Sequence, residues 1–441
     1  MTDSLLLQLY LHTRSQSVAF CASLEHEDYG LQAEDFVSPP KWHLAHTSWF
    51  FETFLLKPFD SAYVTPDERY EVLFNSYYNG IGEQFPRPQR GLLSRPTVAE
   101  VMDYRAYIDK AMTALLENTS HAEREAIAAR TVLGIEHERQ HQELFFTDIK
   151  YSLAINPLKP TFIDVTEGEP TAVSALNWHS YEAGLQEIGY AGTGFCFDNE
   201  LPRHQSYIAA FELADRLVTN GEYQQFIDDG GYQRPELWLA DGWATVQAKG
   251  WQAPLYWLGD GKEPMEYTLH GTVARCASSP VVHVSAYEAD AYARWAGARL
   301  PTEFEWELGA AHAAAADAGA ALAAAADAGA AQAGAAHAAN TNEGVDSGYY
   351  HPRPAPSGQG LKQLYGDCWQ WTQSAYSPYP GYKPSPGAIG EYNGKFMSNQ
   401  LVLRGGSCVS KREQLRPSYR NFFYPQDRWQ FSGIRLARDP A

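Results

Sequence analysis

The 441-residue sequence is poor in cysteine and methionine, with five of each, and its cysteines at 21, 196, 276, 368 and 408 include no Cys-x-x-Cys pair. An odd, dispersed set does not make a disulfide framework and fits reduced thiols in the cytoplasm. Without close pairs, the common cysteine-based structural zinc sites are also excluded. No stretch approaches the roughly 18 apolar residues that cross a bilayer. Basic residues are outnumbered, 34 Lys+Arg against 53 Asp+Glu, for a formal net charge of -19. So acidic a chain repels phosphate backbones and anionic lipid, which disfavours nucleic-acid or membrane partners. The amino-terminal MTDSLLLQLYLHTRSQ lacks a basic lead and a small-residue cleavage site, and reads as the first turns of a core helix.

What the chain does have is an ordinary globular balance, 44% hydrophobic and 20% charged. Its length suggests two or three domains at roughly 150 residues each. Residues 1–156 read as a helical domain. Thr97 and Glu100 form a capping-box pattern before apolar residues at helical spacing, Met102, Tyr107 and Met112. Ser120 and Glu123 repeat it before a long helix that Asn156-Pro157 stops. Two further helices, one at the start and one from about Lys41 to Leu56, complete a four-helix bundle. Residues 157–185 are turn-rich and read as a linker. From 186 to 441 glycine, tryptophan and short β-type runs dominate, with helical patches such as VTNGEYQQFID and SAYEADAYARWAG. The whole is a two-domain α+β protein, its second half rich in irregular loops. An alanine-rich tract, 311–340, with a ten-residue period reads as an exposed insertion, and His312 and His337 within it carry no assigned role.

The segment EHERQHQE carries the strongest chemistry. Residues four apart share a helix face, so His137 and His141 can converge on one ion. Glu143 lies about 200° round the helix from His141 and suits a role fixing an imidazole through its free N–H. A third ligand should come from another helix. In KWHLAHTSWFFETF both His46 and His43 qualify, three residues apart on a similar face. Three histidines without a carboxylate leave open positions that suit zinc, or iron(II) taking up two substrates and oxygen.

At these residues the chain becomes recognisable. LAHTSWFFETF, LFNSYYNGIG, RGLLSRPTV and HERQHQELFFTDIK, followed by ARWAGARLPTEFEWE, GDCWQWTQSAYSPYPGY and RGGSCVSKREQLRPSYRNFF, resemble the sulfoxide synthases of ergothioneine biosynthesis. The resemblance implies an amino-terminal DinB-like four-helix bundle and a carboxy-terminal domain related to formylglycine-generating enzymes and C-type lectins. It implies iron(II) on His46, His137 and His141. The implied reaction is oxygen-dependent attachment of cysteine sulfur to C2 of the hercynine imidazole, giving a sulfoxide.

An acid near the bound oxygen should then steer it from simple thiol dioxygenation. Tyr77 and Tyr78 are the candidates, with Tyr376 and Tyr379 behind them. Gln140 lies between the two helix histidines. Asn421 and Phe422 match the family's hercynine-binding stretch, where an aromatic face suits a quaternary ammonium. Arg87 and Arg90 can fork onto the thiol substrate's carboxylate. Phe423 stands where users of γ-glutamylcysteine carry an acid, which points to free cysteine. The rivals are γ-glutamylcysteine or a selenosugar as donor, and a DinB-type zinc thiol transferase. A formylglycine-generating activity needs a second cysteine near Cys408, and none is there.

Overall fold

The computed structural model describes residues 3–118, 122–164, 173–259, 263–328 and 343–440. It divides into two compact units, residues 1–163 with 384–392, and residues 164–383 with 393–441. The segment 384–392, read from the sequence as part of the second domain, thus groups with the helices.

Four long helices frame the first unit: α1 (Asp3–Phe20), α2 (Pro40–Phe51), α3 (Val98–Glu117) and α4 (Arg124–Ile155). Pro40 starts α2 at its first turn, where the missing N–H costs nothing. A π-helical turn, Glu52–Leu56, prolongs α2. Thr97 caps α3, its hydroxyl accepting the Glu100 N–H while the Glu100 carboxylate accepts the Thr97 N–H. The second cap pattern ends differently: α4 opens at Arg124 behind Glu123, and Ser120 lies outside the described residues.

Helix α2 is buried at every residue but Lys41, which is why its sequence shows no polar face. It lies so close to α4 at Gly134 that a Cβ there would stand 2.5 Å from the Phe51 ring. Between the helices sits a buried charge cluster. Glu138 accepts from Arg14 at 3.0 Å, Arg105 at 2.9 Å and Ser17 at 2.6 Å. Burial pushes its carboxyl up, but the two guanidiniums outweigh that and hold it at about 2. Removing one partner of such a buried pair costs about 3–5 kcal/mol, because the other charge is left alone.

The second unit is built from short strands. A four-stranded sheet orders β10 (Asn421–Phe423), β9 (Leu401–Arg404), β8 (Trp369–Ala375) and β11 (Ser432–Gly433), with β8 and β11 parallel and the rest antiparallel. A three-stranded sheet orders β1 (Trp178–Tyr181), β4 (Phe211–Ala214) and β12 (Ala437–Arg438). Strand β1 therefore lies inside the stretch read as linker. Two smaller pieces join β2 (Gly184–Ile188) to β3 (His204–Ile208), and β5 (Trp257–Leu258) to β6 (Met265–Thr268) and β7 (Gly271–Ala274). Helices α5 (Asn220–Asp228), α6 (Ala240–Lys249), α7 (Ala286–Trp295) and α8 (Glu303–Ala328) are set among them.

Buried arginines tie the loops of this unit together. Arg404 on β9 donates to Glu303 at 2.8 Å and Glu307 at 3.0 Å on α8, and Arg420 donates to Glu303 at 2.9 Å. Residues 311–328 of the alanine tract continue α8, so there alanine's helix propensity outweighs the glycine at 319. The remainder, 329–340 with His337, lies outside the described residues.

Candidate metal centre

Helix α4 turns His137 and His141 onto the face it presents to α2, and α2 answers with His46. The ligand nitrogens of His46, His137 and His141 all lie within 4.8 Å of one another. His46 Nε2 and His137 Nε2 are 3.2 Å apart. Imidazole nitrogens about 2.1 Å from a shared ion, at right angles to each other, stand about 3 Å apart.

The rings are held from several sides. His46 stacks between Trp42, centroids 4.6 Å apart, and Trp49, 5.4 Å apart. Its Nδ1 donates to the Phe74 carbonyl at 2.6 Å, which leaves Nε2 bare. Phe50 covers His137 at 4.4 Å. Burial pushes the His137 pKa down to about 3. Burial and the neighbouring rings push His46 and His141 well below the ordinary value. All three are therefore neutral near pH 7, the protonation state a metal ligand needs.

His43 lies beside this cluster rather than in it. Its Nδ1 lies 2.9 Å from His141 Nδ1 and its Nε2 lies 3.1 Å from Asp148 Oδ2, so both nitrogens are engaged. The partner of the His141 Nδ1 is thus His43. A signal for Asp148 was present: it follows His141 by seven residues and so shares its face.

The other expected residues fall in several places. The Tyr392 hydroxyl donates to Gln140 Oε1, and its ring lies 5.6 Å from that of His137. Tyr77 and Tyr78 stack at 4.6 Å, and Tyr78 packs on Trp49 and Phe50, the rings that line His46 and His137. Burial pushes the Tyr78 phenol well above its usual range. Arg90 is buried over the Trp42 face at 3.4 Å, and one Nη donates to Ser38 at 3.0 Å. Its Nε and other Nη are buried and have no partner among the described residues. Arg87 is exposed and donates to the Phe36 carbonyl.

Asn421 and Phe422 lie on β10 in the second unit, where Phe422 stacks on Tyr376 at 4.0 Å. Tyr376 accepts from Asn199 at 2.9 Å, and Tyr379 accepts from Arg404 at 3.0 Å. Tyr392 was missed by reasoning along the sequence. The signal lay in GEYNGKF, an aromatic motif between SAYSPY and the RGGS segment.

A three-histidine cluster that could hold a metal ion, on a helical bundle, with a second α+β unit of short strands and loops, defines a two-domain protein class. The DinB superfamily profile matches residues 9–145, and the sulfatase-modifying factor enzyme 1-like domain matches residues 171–440. The hercynine oxygenase of Mycolicibacterium smegmatis is 33% identical over 92% of both chains. That of Mycobacterium tuberculosis is 30% identical, again over 92% of both. The formylglycine-generating enzyme of Streptomyces coelicolor is 28% identical over 56% of this chain. The chain belongs to the hercynine oxygenase family, the sulfoxide synthases of ergothioneine biosynthesis.

Proposed function

We propose that this oxygenase joins the sulfur of free cysteine to C2 of the hercynine imidazole, using O2 and iron(II) held by His46, His137 and His141. The S–H and C2–H bonds break, the C–S and S–O bonds form, and the second oxygen atom leaves as water. A bound iron(II) supplies the one-electron chemistry that lets O2 react with a thiol and an imidazole.

The observation that carries this reading is the His46–His137 contact. With its Nδ1 proton on Phe74, His46 aims a lone pair at His137 across 3.2 Å. A cation between them would accept a lone pair from each ring.

The chain's own residues do the rest. Arg90, stacked and half unpaired in a dry pocket, pairs with the cysteine carboxylate, and Arg87 adds positive charge beside it. The family resemblance assigns Asn421 and Phe422 to hercynine, an aromatic face suiting a trimethylammonium. Gln140 orients the imidazole beside the histidines. The stacked Tyr77–Tyr78 pair holds the proton that directs the outcome to sulfoxide; at such a raised pKa Tyr78 stays protonated through the physiological range. No helix among the described residues is long and apolar enough to cross a membrane. The five cysteines form no disulfide and fit a reducing cytoplasm.

The test is anaerobic iron(II) reconstitution, then air, hercynine and cysteine, with products identified by mass spectrometry. Hercynylcysteine sulfoxide is expected. Product only with γ-glutamylcysteine or a selenosugar would overturn the cysteine assignment and keep the metal site. No coupled product with any donor, in a zinc-loaded chain, would return the fold to a thiol transferase.

A further inference from the structure

We infer that His43 and Asp148 are positioning residues that order the protons around His141, so that its Nε2 is bare and directed to the metal. The inference rests on the ligand set proposed above and extends it to two side chains that touch no substrate.

The chain of contacts is continuous, and it is buried at the His43–Asp148 end. The Asp148 Oδ2 accepts the Ser38 backbone N–H at 2.8 Å and faces His43 Nε2 at 3.1 Å. A carboxylate only accepts, so His43 carries its proton on Nε2. In the proposed order its Nδ1 offers the lone pair. That lone pair meets His141 Nδ1 at 2.9 Å, a distance that requires one proton between the two nitrogens. The proton sits on His141, and its Nε2 is left as the lone pair. His43 and Asp148 are both less than a tenth exposed, so water does not compete for the bond between them.

The arrangement repeats on both helices. Helix α2 carries one ligand, His46, and one supporting histidine, His43, three residues earlier. Helix α4 carries two ligands, His137 and His141, and, two turns beyond His141, the carboxylate Asp148. Each pair shares a face because three and seven residues are close to whole helical turns. The support reaches across the α2–α4 contact, so it also fixes the spacing between the helices that bear the ligands. Partners of this kind are worth about 10–100-fold in metal affinity where they have been removed.

Two measurements test this. In the metal-free chain labelled with 15N-histidine, long-range 1H–15N correlation is expected to show His141 as the Nδ1–H form. Finding the proton on Nε2 of His141 would overturn the inference without any variant. Second, cobalt(II) affinity is read by chelator competition and the cobalt d–d band in folded variants. His43→Leu removes both bonds and should weaken cobalt(II) about 10–100-fold. His43→Gln keeps an acceptor for His141 and a donor for Asp148, and should restore most of the loss. His43→Leu with unaltered affinity and an unaltered band would sink the inference. His141→Ala separates the two failures. If it loses cobalt(II) while His43→Leu keeps it, only this inference fails; if it too binds normally, the ligand set itself is wrong.

Discussion

The Glu391 carboxylate accepts the backbone N–H of Gly80 at 2.6 Å, and its other oxygen accepts that of Asn79 at 3.0 Å. Residue 391 thus anchors the turn that immediately follows Tyr77 and Tyr78, more than 300 positions earlier in the chain. A Cβ on Gly80 would stand 2.9 Å from this carboxylate, so the approach depends on glycine. If the tyrosine pair supplies the proton, Glu391→Ala should release the turn and shift product from sulfoxide to oxidised cysteine. A misplacement of about 1 Å can cost up to about 10²-fold in a catalytic step. The product ratio is read by mass spectrometry alongside the cysteine KM, which should not move. A normal ratio in a folded Glu391→Ala enzyme would place the proton donor elsewhere.

The helical half was legible because its signals are local. The capping box at Thr97 and Glu100 and the His137–His141 spacing each lie within one or two turns. The residues alone favour His46 over His43 without deciding between them, since both share a face of α2. What separates them is long-range: Phe74 holds one ring, and Asp148 with His141 holds the other. Tyr392 stands 252 residues from its partner Gln140, and no periodicity links them. Strand β1 is four residues long, too short for alternation to distinguish it from a turn-rich linker.

Arg90 offers a prediction about substrate affinity. Its guanidinium is buried on Trp42, and burial with the nearby Arg87 pushes its pKa well below the ordinary value. A carboxylate fork would satisfy the two unpaired nitrogens and restore the charge balance. Arg90→Ala should raise the cysteine KM about 10–100-fold, which is about 1.4–2.8 kcal/mol at about 1.4 kcal/mol per tenfold. The hercynine KM should stay within a few-fold. Arg90→Lys should rescue little, because an ammonium cannot reproduce the fork. An unaltered cysteine KM in Arg90→Ala would assign the carboxylate to another group.

Gly134 sets the distance between the ligand-bearing helices. The Phe51 ring that fills the space beside it is itself buried and packs edge-on against Tyr10 at 4.9 Å, so it has little room to turn aside. Gly134→Ala gains helix propensity, worth up to about 1 kcal/mol. It also overpacks the contact, which typically costs about 1–3 kcal/mol. The clash at 2.5 Å is the larger effect. The variant should melt lower and bind cobalt(II) more weakly, because α2 and His46 move away from α4. A higher melting temperature with unchanged metal affinity would show that Phe51 yields freely.

The thiols should differ sharply in reactivity, since the thiolate is the nucleophile. At Cys276 partial burial raises the pKa, but hydrogen bonds from Ser278 and Ser279 outweigh it and bring the thiol below its ordinary value. Burial pushes Cys196 up to about 11 and Cys21 up to about 12, and holds Cys368 well above its usual range. Cys408 is buried. A lowered pKa means a larger thiolate fraction at any pH below it, so the advantage of Cys276 widens as pH falls from 9 toward 7, about the span over which an ordinary thiol titrates. Limited iodoacetamide treatment of the folded chain, followed by peptide mass spectrometry, should label Cys276 first and leave Cys21 and Cys368 unmodified. Labelling of Cys196 at a rate equal to Cys276 would show that exposure, rather than the serine hydrogen bonds, governs these thiols.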